Sequence, residues 1–234
     1  MINSVVENVE IFPGLFIQIP EGSPKPKSAL GFVNFLATSE DNFMFNKKIL
    51  ELGCGHHASL AHSALYRKAA YVEASEICPT SVEVVSSFGD KRINFIQSDL
   101  FCKTNKPYDV ILFNPPQMPM ESRTQTDNHD SPGPTGLEII ERTLRDCSKF
   151  FGENGSLYMM LFDFLSTSDA LASMANRFNL NFELVHTYRR NIRSGGATEA
   201  NLDWIHKQYP SYTFQIDDSG DMFMKCDIIK FTND

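Results

Sequence analysis

Several residues in the first half of the chain stand where short apolar runs stop, and their types suit them to one ligand. The run Ile49–Leu52 leads directly into Gly53–Cys54–Gly55. Glycines at such a turn let backbone N–H groups approach a ligand at the N-terminus of the next helix. Glu76 follows Gly53 by 23 positions, near the roughly 20 expected for a carboxylate that accepts both hydroxyls of a ribose. Asp99 follows the run Ile93–Gln97 and can accept a hydrogen bond from an adenine amino group. Each has a plainer explanation: a strand-to-helix turn, a surface glutamate opening a helix, a turn aspartate. Polar positions at three successive strand ends are hard to assign to turn chemistry alone.

A fourth position adds an acceptor side. Val110–Phe113 is too short for a helix and too apolar for an exposed loop, and it stops at Asn114–Pro115–Pro116–Gln117. Neither proline can donate a backbone hydrogen bond, and the second holds the first extended. Asn114 is thereby fixed at the carboxyl end of a central strand, where ligands bind in open α/β sheets.

The elements needed to position these residues alternate. Strands are expected at Lys48–Leu52, Ala69–Ala74, Ile93–Gln97, Tyr108–Phe113 and Ser156–Phe162, with helices near Ser59–Arg67, Pro79–Gly89, Gly136–Phe151 and Ser168–Phe178. This alternation argues for a doubly wound α/β fold, a mostly parallel seven-stranded sheet covered on both faces. Strands near Phe182–Ile192, Tyr212–Ile216 and Met222–Phe231 have no standard helical crossover, apart from a short helix near Glu199–Lys207. They suggest an antiparallel C-terminal edge. Residues 1–45 read as an N-terminal arm, with a small hairpin or extended arm over 5–19 and a helix capped by Ser28, and 46–234 as the catalytic domain. Residues 118–135 carry no hydrophobic period and read as a lid loop.

Composition narrows the partners. A net charge of −8 argues against a broad nucleic-acid interface. The basic cluster Arg189, Arg190 and Arg193 reads as a solvated strand end. No apolar run approaches membrane-span length, no secretory leader is indicated, and five scattered cysteines point to reduced thiols in a cytoplasmic setting. The neighbouring His56 and His57 face different ways and have no third ligand nearby, so no metal site is expected. Asp127, His129, Asp130 and Arg123 lie in the lid loop and read as solvated. Trp204, Tyr209 and Tyr212 read as packing, and Cys54 as a small buried filler.

The ordered motifs resemble those of the class I S-adenosylmethionine-dependent methyltransferases. Ile49–Gly55 is similar to their glycine motif, Val72–Pro79 to the second motif, and Ile93–Phe101 to the third. Tyr108–Gln117 is similar to the Asn–Pro–Pro–aromatic motif of the amino-methylating branch. Within that branch the likeness is greatest to the release-factor glutamine N-methyltransferases. Their Pro-Arg-Pro-Glu-Thr stretch is matched by Pro24–Ser28 and their glycine-rich lead into a helix by Gly133–Glu138. The resemblance covers about residues 10–165.

It implies a Rossmann-like methyltransferase fold, S-adenosyl-L-methionine as cofactor, and transfer of a methyl group to an amide or amine nitrogen of a small-molecule or peptide-like substrate. Glu51, Gly53, Gly55, Glu76, Ile77, Asp99, Leu100 and Asn114 become the cofactor-side residues, Asn114 and Pro115 the catalytic contacts, and Asn114, Pro116 and Gln117 the substrate contacts. His57 stands in place of a third glycine and Gln117 in place of Tyr or Phe, and residues 193–221 read as an insertion. A helical partner-docking domain does not fit in the N-terminal part. Protein glutamine N-methylation is the nearest alternative, and a non-catalytic methyltransferase-fold partner-binding subunit is the alternative of another class.

Overall fold

A computed structural model describes residues 6–27, 29–104, 107–121, 132–192 and 194–234. The chain forms two compact units, Met1–Asn114 with Lys149–Tyr158, and Pro115–Ser148 with Met159–Asp234.

The first unit opens with an antiparallel hairpin of β1 (Val6–Phe12) and β2 (Leu15–Pro20) about Pro13–Gly14. Alternation decides its faces: Val9, Ile11, Leu15, Ile17 and Ile19 are buried, while Phe16 and Gln18 point outward. Helix α1 (Leu30–Thr38) buries Phe32, Val33, Leu36 and Ala37. Its expected cap, Ser28, lies outside the described residues, and Ala29 at the N-cap position supplies no side-chain bond.

Four parallel strands follow: β3 (Lys48–Leu52), β4 (Tyr71–Glu76), β5 (Ile93–Gln97) and β6 (Tyr108–Phe113). They are connected in part by α2 (Ser59–Tyr66) and α3 (Pro79–Phe88). The order is β5-β4-β3-β6, continued by β7 (Phe151–Phe162). Leu52 pairs with both Ser75 and Phe113, and Glu76 pairs with Gln97. The strands therefore end nearly level, and Gly53, Glu76 and Asn114 occupy the same rim. A buried polar knot secures the interior. Glu73 accepts hydrogen bonds from Tyr108 Oη at 2.5 Å, Tyr71 Oη at 2.7 Å and Asn94 Nδ2 at 2.8 Å.

Strand β4 begins two residues later than the sequence suggests, because Ala69 and Ala70 close the turn after α2. Their N–H groups donate to the carbonyls of Ala64 and Lys47. The shift brings Ser75 and Glu76 into the strand.

In the second unit the final residues of β7 lead into α5 (Asp163–Ser166), a short helix not anticipated. Helix α4 (Glu138–Cys147) tightens into a 3-10 turn at Ser148–Phe150, so it is shorter than the expected Gly136–Phe151. Strand β7 begins before the expected Ser156, so Glu153–Asn154–Gly155 lies inside it, with Asn154 at φ +59°. Helix α6 (Asp169–Arg177) is capped by the Ser168 hydroxyl, which accepts from the Leu171 N–H. The chain continues through β8 (Leu180–Asn191), α7 (Ala197–Ala200), α8 (Leu202–Gln208), β9 (Gln215–Ile216) and β10 (Met222–Asn233).

β10 is antiparallel to both β8 and β9, and the order here is β7-β10-β8. The sheet is thus mostly parallel with antiparallel C-terminal strands, as expected. β9 is shorter than the expected Tyr212–Ile216 because side-chain contacts take Tyr212 out of the ladder. Its hydroxyl donates to Asp163 at 2.6 Å and its ring meets Phe164 and Phe214.

Candidate functional site

Of the residues expected on the cofactor side, Gly53, Glu76 and Asn114 share one rim of the first unit. Gly53 has φ +58° and an exposed backbone, and a Cβ there would stand 3.2 Å from the Phe113 ring. Glycine is required for that geometry. The Cys54 N–H donates to the Ser75 carbonyl, joining the turn to β4. Glu76 completes the attachment: one carboxylate oxygen accepts from Gly55 N and the other from Cys78 N, both at 2.9 Å. The proposed ribose acid thus also fixes the glycine turn and the start of α3, and each oxygen retains a lone pair.

Glu51 has a different task. It is 4% exposed, and its carboxylate accepts from Ala61 N at 2.8 Å and Leu60 N at 3.4 Å. It satisfies first-turn donors of α2 from inside the protein. Burial pushes its pKa up to about 8; the Ala61 and Leu60 N–H groups pull it down, and the Glu76 charge raises it further. Burial, with the Glu51 and Glu76 charges, also pushes the Cys54 thiol well above its usual range, which suits a filler and not a nucleophile. Ser59 Oγ, at the start of α2, is buried without a hydrogen-bond partner among the described residues.

Next to the acids lie apolar groups. Ile77 is 42% exposed, and Leu100 is half-buried with φ +48°. Ser98 secures the second turn, donating its hydroxyl to Leu100 O and accepting from Lys103 N. The donor and acceptor set consists of turn amides, a fixed carboxylate, half-buried Asp99 and open apolar side chains. It fits an adenosine-bearing ligand with a polar tail near the glycine turn.

Asn114 closes the first unit. It is half-buried, and its side chain makes no hydrogen bond among the described residues. Pro115 opens the second unit and is buried; Pro116 is half-buried. Gln117, expected to face substrate, is 3% exposed and turned inward. Its Nε2 donates to Met160 O at 2.9 Å and lies 3.4 Å from Pro115 O, while its Oε1 accepts from Phe162 N at 2.7 Å. The Gln117 carbonyl is also hemmed in: a Cβ on Gly136, at φ +82°, would stand 2.4 Å from it. Of the lid loop, residues 122–131 lie outside the described structure, and its flanks meet where Met120 N donates to Gly133 O.

Other candidates find structural partners. His57 Nε2 lies 2.8 Å from Pro24 O, so the ring ties the glycine turn to the segment preceding α1. Trp204 Nε1 donates to Pro134 O, and Tyr209 Oη donates to Thr135 O. Arg189 pairs with Asp217, and Arg190 stacks on Phe162. Arg123, Asp127, His129, Asp130 and Arg193 lie outside the described residues. The sequence reading missed Asp163, which receives Tyr212, and Asp227, which accepts from Ser166 at 2.5 Å and Thr187 at 2.6 Å. Neither has a local signature, since their partners are distant in the chain.

The whole architecture has solved counterparts. A methyltransferase from Pyrococcus furiosus superposes with a TM-score of 0.58 at 13% identity, covering 94% of this chain and 90% of that one. M. jannaschii TYW2 in complex with AdoMet gives 0.52 at 11% identity, covering 99% and 88%. The fold is that of the class I methyltransferases. No family model matches the chain. Among curated proteins, one of Methanocaldococcus jannaschii named as a protein N5-glutamine methyltransferase is 28% identical over 123 residues, 49% of this chain and 61% of its own length. The release factor glutamine methyltransferase of Lactococcus lactis is 28% identical over 148 residues, 58% of this chain and 54% of its own. The chain thus spans little more than half the length of these relatives. No helix among the described residues is long and apolar enough to cross a membrane.

Proposed function

We propose that this protein is an S-adenosyl-L-methionine-dependent methyltransferase that methylates an amide or amine nitrogen of a small-molecule or peptide-like acceptor. The observation that carries the reading is the level rim of the first unit, where Glu76 ends a paired strand and Gly53 and Asn114 follow the paired ends of two others. Glu76 accepts the ribose hydroxyls, Asp99 the adenine amino group, and Ile77 and Leu100 offer apolar surface to the base. Gly53 and Gly55 admit the methionine portion close to the backbone, beside α2, whose first-turn amides Glu51 holds. The cofactor, when bound, supplies a methyl group on a sulfonium.

An amide nitrogen is a poor nucleophile while its lone pair is delocalised. The Asn114 side-chain carbonyl and the Pro115 backbone carbonyl accept hydrogen bonds from the acceptor N–H groups. They orient the nitrogen so that its lone pair faces the methyl carbon. Positioning of this kind contributes roughly 7–11 kcal/mol in well-oriented reactions. No strong base is required, because the proton leaves after transfer. The relatives' names favour protein glutamine as one acceptor.

Calorimetry with S-adenosylmethionine separates this reading from a non-catalytic partner-binding subunit. Binding is expected, and its absence at millimolar cofactor would reject the enzyme. Transfer of labelled methyl into protein, nucleic-acid and metabolite fractions then identifies the acceptor class. Asn114→Ala should abolish that transfer and leave cofactor affinity nearly unchanged; equal losses in both would refute its role.

A further inference from the structure

We infer that Gln117 is a positioning residue for methyl transfer, holding the Pro115 carbonyl from within the second unit instead of touching the acceptor. The inference rests on the methyl-transfer reading above. A residue lining a substrate surface presents its polar group outward, whereas this carboxamide is buried and engaged at both ends. Its nitrogen serves Met160 O at 2.9 Å and lies within 3.4 Å of Pro115 O; its oxygen receives the Phe162 N–H at 2.7 Å. Met160 and Phe162 are themselves buried near the end of β7, so the anchor is a strand backbone, not a mobile side chain.

The arrangement solves a local problem. Pro115 and Pro116 supply no N–H, so the backbone leaving the strand lacks two ladder donors. Gln117 replaces part of that pairing with a side-chain bridge from Pro115–Gln117 to Met160–Phe162. Gly136 closes the opposite side, approaching the Gln117 carbonyl more closely than any residue with a Cβ can. The Pro115 carbonyl, one of the two proposed acceptors, is therefore set by Gln117 within two residues of itself.

Three variants of the full chain test this. Gln117→Leu removes every hydrogen bond at similar volume and should lower turnover about a hundredfold, the effect of a misplacement near 1 Å. Acceptor KM and cofactor Kd should stay within about twofold of wild type, because the lost group touches neither ligand. Gln117→Glu supplies a rescue: protonated, its carboxyl donates to Met160 O and accepts from Phe162 N–H, as the amide does. Its turnover relative to wild type should be high at acid pH and fall as the carboxyl ionises, while the Gln117→Leu ratio stays low and flat. Gln117→Tyr should be no more active than Gln117→Leu.

Unchanged turnover in Gln117→Leu, a raised acceptor KM at constant kcat, or a Gln117→Tyr variant more active than wild type would overturn the proposal. Hydrogen exchange of the Phe162 amide reads the clamp without activity. Faster exchange is expected in Gln117→Leu, and unchanged exchange refutes the clamp. A wild-type protein without turnover on any acceptor fraction refutes the methyl-transfer reading separately, and with it the catalytic consequence of Gln117.

Discussion

Replacing Glu51 by Gln should change how stability depends on pH, in a direction that follows from burial. The Glu51 carboxyl is enclosed, and its pKa rises from 4.5 to about 8 despite two backbone N–H donors. In the unfolded chain the group titrates near its ordinary value. Between those two values the folded protein binds the extra proton, so stability falls as pH rises. The contribution is fully present below 4.5 and is lost as pH climbs through about 8. Each pKa unit corresponds to about 1.4 kcal/mol, so the span amounts to roughly 2–5 kcal/mol. For a chain of this size that is roughly 5–15 °C in Tm. Gln keeps a carbonyl for the Ala61 N–H and cannot ionise. Thermal melts of both proteins from pH 4.5 to 8.5, taken as the difference in Tm at each pH, remove the contributions of other titrating groups such as His62. The variant should gain on the wild type steadily with pH. Parallel curves would show that Glu51 ionises normally in the fold and would refute the buried-cap account.

Two further outcomes follow from the same unit. Glu76→Ala removes the proposed ribose acid together with the anchor of Gly55 N and Cys78 N. It should weaken S-adenosylmethionine binding about thirtyfold, or ~2 kcal/mol, by calorimetry; a change below about threefold would reject the role. Tyr108→Phe deletes the 2.5 Å bond to Glu73 inside the sheet. It should cost about 1–3 kcal/mol in urea denaturation while leaving cofactor affinity unchanged, and a loss under about 0.5 kcal/mol would show that Tyr71 and Asn94 suffice for Glu73.

Much of the first unit was legible because its signals are local. The apolar runs Lys48–Leu52, Ile93–Gln97 and Tyr108–Phe113 stop at glycine, a polar turn and proline, and the strands stop there too. The second unit was less legible because its elements are set by distant partners. Tyr212 leaves β9 for Asp163 and α5 forms immediately after the longest apolar run, while in the first unit Glu153–Asn154–Gly155 is likewise held within β7. None of these has a signature within a ten-residue window. Gln117 shows the same limit: its residue type was plain, but its direction depends on backbone atoms more than forty positions away.

That direction bears on the non-catalytic alternative, because His57 and Gln117 are departures from the family pattern at the site. Both side chains turn toward backbone: His57 meets Pro24 O at 2.8 Å, and Gln117 meets Met160 and Phe162. Each substitution changes how a loop is held, not what the loop offers a ligand. Substitutions that disable a methyl-transfer site would strike the groups ligands touch, and the open Gly53, the carboxylates of Glu76 and Asp99, and the amide of Asn114 are all present. The two departures therefore argue for a site supported by different internal bonds, in which acceptor recognition does not depend on an aromatic ring at position 117. On the proposed reading, a planar amide held by hydrogen bonds to Asn114 and Pro115 would need no stacking partner there, which favours a compact peptide-like group over a nucleobase.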